Sequence, residues 1–163
     1  MPVVSAPEKA ETKKSEPKSA KAVMSAEMPI KIVGIISEEI TKPRMDGTRG
    51  SGLYAVPFRL SARPPQEWAQ MFVQNWSHPP TFTTMHRSKI ASVSGNKVIL
   101  DGTTIKEVEK YHRETLLAVI EKTNQEYGEY QAEMERIAER KRRTEQDHEK
   151  SIDDVLKRIR FDD

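Results

Sequence analysis

The rhythm of apolar positions changes three times along the chain. Between Met28 and Ile36, five branched residues crowd into seven positions: Ile30, Ile32, Val33, Ile35 and Ile36. β-branched side chains at that density favour a strand. Both alternating faces are apolar, which predicts a strand in the interior of a sheet. A second strand is predicted from Leu53 to Leu60, where Tyr54, Val56, Phe58 and Leu60 alternate. Pro57 lacks a ladder donor, so this strand is expected at an edge or a bulge. The stretch between them, Lys42 to Gly52, holds Pro43, Gly47, Gly50 and Gly52 and reads as a loop.

A helical period follows. Pro64-Pro65 suits a first helical turn. Trp68, Met71, Phe72 and Trp76 then recur at i, i+3, i+4 and i+8, and Pro79-Pro80 ends the pattern. Core packing is the plainer use of that aromatic stripe, and a peptide- or base-binding groove is the sharper one. Thr81 to Met85 is expected to be a short strand. Lys89–Val93 and Lys97–Leu100 flank Ser94-Gly95-Asn96, which signals a hairpin.

The last third is helical. Thr104 and Glu107 fit a capping box. No proline follows Pro80, and good helix formers fill the chain from Thr104 to about Arg143. Such a helix is about 60 Å long, against a radius of gyration of about 13 Å for a domain of about 100 residues. It should therefore project. Ile105, Val108, His112 and Leu116 are expected to lie on the sheet. Leu116, Ile120, Thr123, Tyr127, Tyr130, Met134 and Ile137 then follow at alternating spacings of four and three. That is a heptad seam, and a narrow seam with charge elsewhere needs a partner helix. The seam fades at Lys141 and Thr144. Ser151 reads as a fresh N-cap for a short amphipathic helix carrying Ile152, Val155, Leu156 and Ile159, which either folds back or docks on a neighbour.

Composition adds limits. Only 36% of residues are hydrophobic, so part of the chain is not packed core. Residues 1–27 contain no aromatic, Ile or Leu and are expected to be a disordered tail. They lack the apolar stretch of a secretory signal. Without cysteine there are no disulfides and no thiolate metal ligands. Charge is uneven: residues 28–101 carry +4 and residues 102–163 carry −3. Arg44, Arg49, Arg59 and Arg63 on the basic part are candidate contacts for an anion or a nucleic acid. The run Gly47-Thr48-Arg49-Gly50-Ser51-Gly52 lacks the ending of a phosphate-binding P-loop and reads as a loop connection.

Catalytic chemistry is thinly represented. No HExxH pair, calcium-loop ladder or GxSxG elbow occurs. His112 reads as a hydrogen-bonded core histidine. His86 with Arg87 is the one place where a small active site is conceivable.

The expected architecture is α+β: a small, mostly antiparallel sheet with one short aromatic helix and a long C-terminal helix extending as a coiled-coil-like arm. The expected divisions are the tail 1–27, a body 28–116, an arm 117–143 and a terminal helix 144–163. The expected function is non-enzymatic: a cytoplasmic homo-oligomeric assembly or adaptor protein that also holds a protein partner. Its interface residues are Leu116, Ile120, Tyr127, Tyr130, Met134 and Ile137. The alternatives are a nucleic-acid-binding module and a small enzyme at His86/Arg87. No cofactor, metal or membrane contact is implied.

Overall fold

The computed structural model describes residues 28–162, so the expected tail 1–27 lies outside the described residues. Four antiparallel strands form one sheet in the order β1-β2-β4-β3. They are β1 (Ile32–Ile35), β2 (Tyr54–Leu60), β3 (Ala91–Ser94) and β4 (Lys97–Thr103). Helix α1 (Gln66–Ser77) connects β2 to the β3–β4 hairpin. The C-terminal helix α2 opens at Ile105–Glu107, widens into a π-helical turn at Val108–His112 and continues as Arg113–Arg158. The fold is therefore α+β, with a small antiparallel sheet and one long helix.

Alternation sets the two faces of the sheet. Val56, Phe58 and Leu60 of β2 and Val98 and Leu100 of β4 are buried, while Arg59, between Phe58 and Leu60, and Asp101, after Leu100, are exposed. The buried face gathers with Trp68, Phe72 and Trp76 of α1 and with Val108, Leu116, Val119 and Ile120 of α2 into one core. The hairpin forms as expected around Gly95-Asn96, with Gly95 at φ +60 in the first central position. A β-carbon is disfavoured at that angle, which is why glycine stands there.

Three strand expectations are corrected. β1 is an edge strand, not an interior one, and Val33 and Ile35 are exposed. Its pairing skips from Ile32↔Leu60 to Gly34↔Arg59, so Val33 bulges out of the ladder. The apolar residues that read as a second buried face belong to this irregularity. Conversely, β2 is interior, between β1 and β4. Pro57 costs nothing there. Its carbonyl accepts from the Ile36 N–H at 3.0 Å, and the Ile36 carbonyl that the missing donor would have served accepts from the Glu39 N–H at 3.0 Å instead. A 3₁₀ turn at Ser37–Glu39 thus replaces the lost ladder bond. Thr81–Met85 is not a strand but a stretch of turns and bends.

The end of the chain differs as well. α2 runs unbroken through residues 144–150, so 144–163 is not a separate helix and Ser151 caps nothing. Glu, Gln, Lys and Arg keep the run helical without an apolar face. Thr144 turns its hydroxyl back to the Arg140 carbonyl at 2.9 Å, a local bond that a helix tolerates.

Candidate interaction surface

The expected seam divides into two parts. Leu116, Ile120, Thr123 and Tyr127 are buried within the chain itself, and Tyr130 packs partly covered beside Tyr127 with ring centres 5.8 Å apart. Leu116, Ile120 and Tyr127 were expected as interface residues, yet the body already covers them. Polar groups lock this docking. The Asn75 amide of α1 donates to Thr123 Oγ1 at 3.1 Å and to Glu126 Oε1 at 2.9 Å. Asn124 Oδ1 accepts from Trp68 Nε1 at 2.9 Å and from the Ile30 N–H at 3.1 Å, and its Nδ2 donates to the Ile30 carbonyl at 2.8 Å. One side chain therefore ties α2 to α1 and to the segment before β1. Burial pushes the Tyr127 hydroxyl above its ordinary pKa, and Glu67 and Tyr130 add to the shift.

Beyond Gln131 every described residue is exposed. Met134, Ile137, Ile152, Val155, Leu156 and Ile159 keep between 41% and 61% of their surface in solvent. At about 100° per residue they fall within about 100° of one another, on the face that the body covers further back at Leu116, Ile120 and Tyr127. Apolar side chains thus recur on one face of α2, covered by the body as far as Tyr130 and bare in two patches, Met134–Ile137 and Ile152–Ile159, on either side of a polar stretch. The arm's own ion pairs, Arg136–Glu133 at 2.6 Å, Arg142–Glu139 and Lys157–Asp153 at 3.2 Å, join neighbours along the helix. Such pairs support helicity and leave the stripe open.

The four arginines do not form one patch. Arg44 and Arg49 stand in the loop before β2, Arg59 near the far end of that strand and Arg63 just past it. The strand that stands between the two pairs in the chain is about 20 Å long. Arg44 lies 4.0 Å from Asp46, and Lys97, which faces Arg59 across the ladder, is bound to Glu39 at 2.7 Å.

Arg87 lies against a carboxylate, while His86 is bound through one ring nitrogen to the end of α1 and its buried Nδ1 has no partner. Arg87 grips Glu107 through Nη1–Oε1 at 2.6 Å and Nη2–Oε2 at 3.0 Å, and donates to the Gly102 carbonyl at 3.2 Å. Thr103 Oγ1 donates to the same carboxylate at 2.9 Å. Arg87, more than burial or Thr103, sets the balance that holds the Glu107 carboxyl below its usual range. Only half of the expected capping box is made: Thr104 Oγ1 accepts from the Glu107 N–H at 3.1 Å, while the Glu107 side chain turns to Arg87. His86 Nε2 donates to the Trp76 carbonyl at 2.8 Å, at the end of α1. The group fastens the 78–90 segment to both helices. His112, expected to be hydrogen-bonded, is fully buried edge-on to Trp76 at 5.9 Å with no partner at either ring nitrogen. Burial pushes its imidazole below its ordinary pKa, against an opposing pull from Glu107.

Ile105, expected on the sheet, is partly exposed instead. It stands at the mouth of an open, mainly apolar groove of about 420 Å³ between β1 and the start of α2, where Ile32, Ile35, Val108 and Leu116 also contribute. Sequence reading missed Asn75 and Asn124. The available signal was an asparagine, a weak helix former, set among strong ones at Asn124. Among the described residues no helix is long and apolar enough to cross a membrane, and no cluster of three His, Cys, Asp or Glu side chains is placed to hold a metal ion. Comparison with protein-family models, curated proteins and solved structures finds no match.

Proposed function

We propose that this chain is a non-enzymatic assembly protein whose α+β body anchors one end of a helical arm, and that the arm joins copies of the chain. One observation carries the reading. From Ala132 onward every described residue is exposed, yet six large apolar side chains there share one helical face. Burying such a side chain fully returns about 1.5–3 kcal/mol. A helix that leaves an apolar stripe in water gains by covering it with another helix. In this reading the interface lies on the outer part of the helix, at Met134, Ile137, Ile152, Val155, Leu156 and Ile159.

The test is a sedimentation measurement on wild type and on the double variant Met134→Glu, Val155→Glu. Both positions lie outside the core, so the variant keeps the thermal transition of the body. It is expected to sediment as a monomer under conditions where the wild type is oligomeric. A wild type that stays monomeric at tens of micromolar, or an oligomer that survives both substitutions, overturns the reading.

A further inference from the structure

We propose that the arm pairs with one second copy of itself, antiparallel, about a two-fold axis between Thr144 and Glu145. The proposal rests on the self-association reading above and adds the number of copies, the direction and the register.

The continuity of α2 makes the arrangement readable. Because Arg113–Arg158 is one helix, the two apolar patches of the arm are fixed on one rigid face. Eight positions on that face, Tyr130, Met134, Ile137, Lys141, His148, Ile152, Val155 and Ile159, are spaced 4, 3, 4, 7, 4, 3 and 4, while Ala138, Glu145 and Leu156 on the same face fall level with Ser151, Thr144 and Glu133. The series reads the same in both directions. Turned end over end about its midpoint, the stripe superposes on itself: Tyr130 comes level with Ile159, Met134 with Val155, Ile137 with Ile152, and Lys141 with His148. With the central step of seven divided in two, the spacing averages about 3.6 residues, the period of a straight helix, so the two arms need little supercoiling to stay in contact. A two-fold interface requires a surface complementary to itself, and a palindromic stripe is such a surface.

The extent of the arm gives the same axis independently. The last residue with any cover from the body is Gln131, and the last helical residue is Arg158. Their midpoint also lies between residues 144 and 145. In this register the bare arm of each copy is covered along its whole length, and each helix stops where the other body begins.

Charge selects the direction. The stretch 136–143 carries Arg136, Arg140, Lys141, Arg142 and Arg143 against the single acid Glu139. The stretch opposite it, 146–153, carries Asp147, Glu149 and Asp153 against Lys150. On the flanks, Glu133 comes beside Arg158, Arg140 beside Asp147 and Arg142 beside Glu149, while Arg136 and Asp154 lie on the far side of the helix from the stripe. Two like-charged contacts, Glu135 with Asp153 and Glu145 with its own copy beside the axis, stand against these three. A parallel, in-register pair sets the basic run against its own copy, which repels. The polar Lys141–His148 layers near the centre serve as register marks, since a polar group at a seam position penalises every alignment that buries it against an apolar partner.

The absence of cysteine makes the test direct. Two single variants, Ile137→Cys and Ile152→Cys, are oxidised separately and as a mixture, and the mass of each sample before oxidation is read by sedimentation. The expected result is a disulfide-linked dimer of the two variants in the mixture and none from either alone. Thr144→Cys, beside the axis, is expected to cross-link to itself. Dimers that link Ile137→Cys to its own copy overturn the antiparallel arrangement and leave self-association standing. Trimers or larger species overturn the copy number. Monomers in wild type and variants alike overturn the parent reading together with this one.

Discussion

The two parts of helix α2 present the same apolar stripe to different surroundings. From Leu116 to Tyr130 the stripe meets α1 and the sheet, and Asn75 and Asn124 fix the alignment with hydrogen bonds. From Met134 to Ile159 it meets solvent, and the side chains around it pair only along the helix. Apolar spacing alone therefore does not say what covers a helix. What differs is the polar company. The docked part carries an asparagine and a threonine that bond to distant segments, whereas the bare part carries long charged side chains on its flanks. The first arrangement suits a contact made once, within a chain. The second suits a surface that must stay soluble until a partner arrives.

Matched substitutions sharpen that difference most strongly. Ile120 is 5% exposed and Ile137 is 42% exposed, on the same face of the same helix. Ile120→Ala should lower the unfolding free energy of the body by about 2–5 kcal/mol, because it removes packed atoms and leaves a cavity. Ile137→Ala should leave the unfolding of the dilute monomer unchanged and weaken self-association about tenfold. Urea unfolding at low concentration and sedimentation across a dilution series read the two effects. Equal losses of folding stability for the two variants break the comparison.

A smaller effect concerns the inner end of α2. The π-helical turn sets His112 in the core without a hydrogen-bond partner, facing Trp76, with Glu107, Arg87 and His86 as its charged or titratable neighbours. Its folded pKa lies below the unfolded value, so the unfolded chain binds more protons as pH falls. Stability is then complete above the unfolded histidine value of about 6.5 and declines as pH falls below it. His112→Leu should flatten that decline. Self-association through the arm lies far along the helix from this group and should not follow the same curve. Denaturant unfolding from about pH 8 to about pH 5.5 checks both variants.

Much of the body was legible because its signals are local. Gly95-Asn96 between β-prone runs, Thr104 ahead of a helical period, and the Trp68–Trp76 stripe each specify structure within a few residues. The failures have physical causes. Pro57 points to an edge or a bulge because its missing donor is a local fact, whereas the 3₁₀ turn after Ile36 that absorbs the loss lies about twenty residues earlier. Five apolar residues from Ile30 to Ile36 resembled a doubly buried strand because a bulge at Val33 leaves no mark in composition. The polar run 140–150 reads as the end of the helix in sequence, although loss of an apolar face is not loss of helix propensity. Asn124 was unreadable because its partners, Trp68 and Ile30, lie 56 and 94 residues away. The candidate surface was half legible: the spacing located the stripe, but only the fold separates the stretch the body covers from the stretch it leaves bare.

Hydrogen exchange measured at two protein concentrations tests the contrast within α2 most directly. Amides of residues 116–130 should be protected to the same degree in dilute and concentrated samples, because their cover comes from the same chain. Amides of residues 132–158 should exchange quickly when dilute, as in an exposed helix, and slow markedly when the protein is concentrated. Protection of the arm that does not change with concentration would contradict the account.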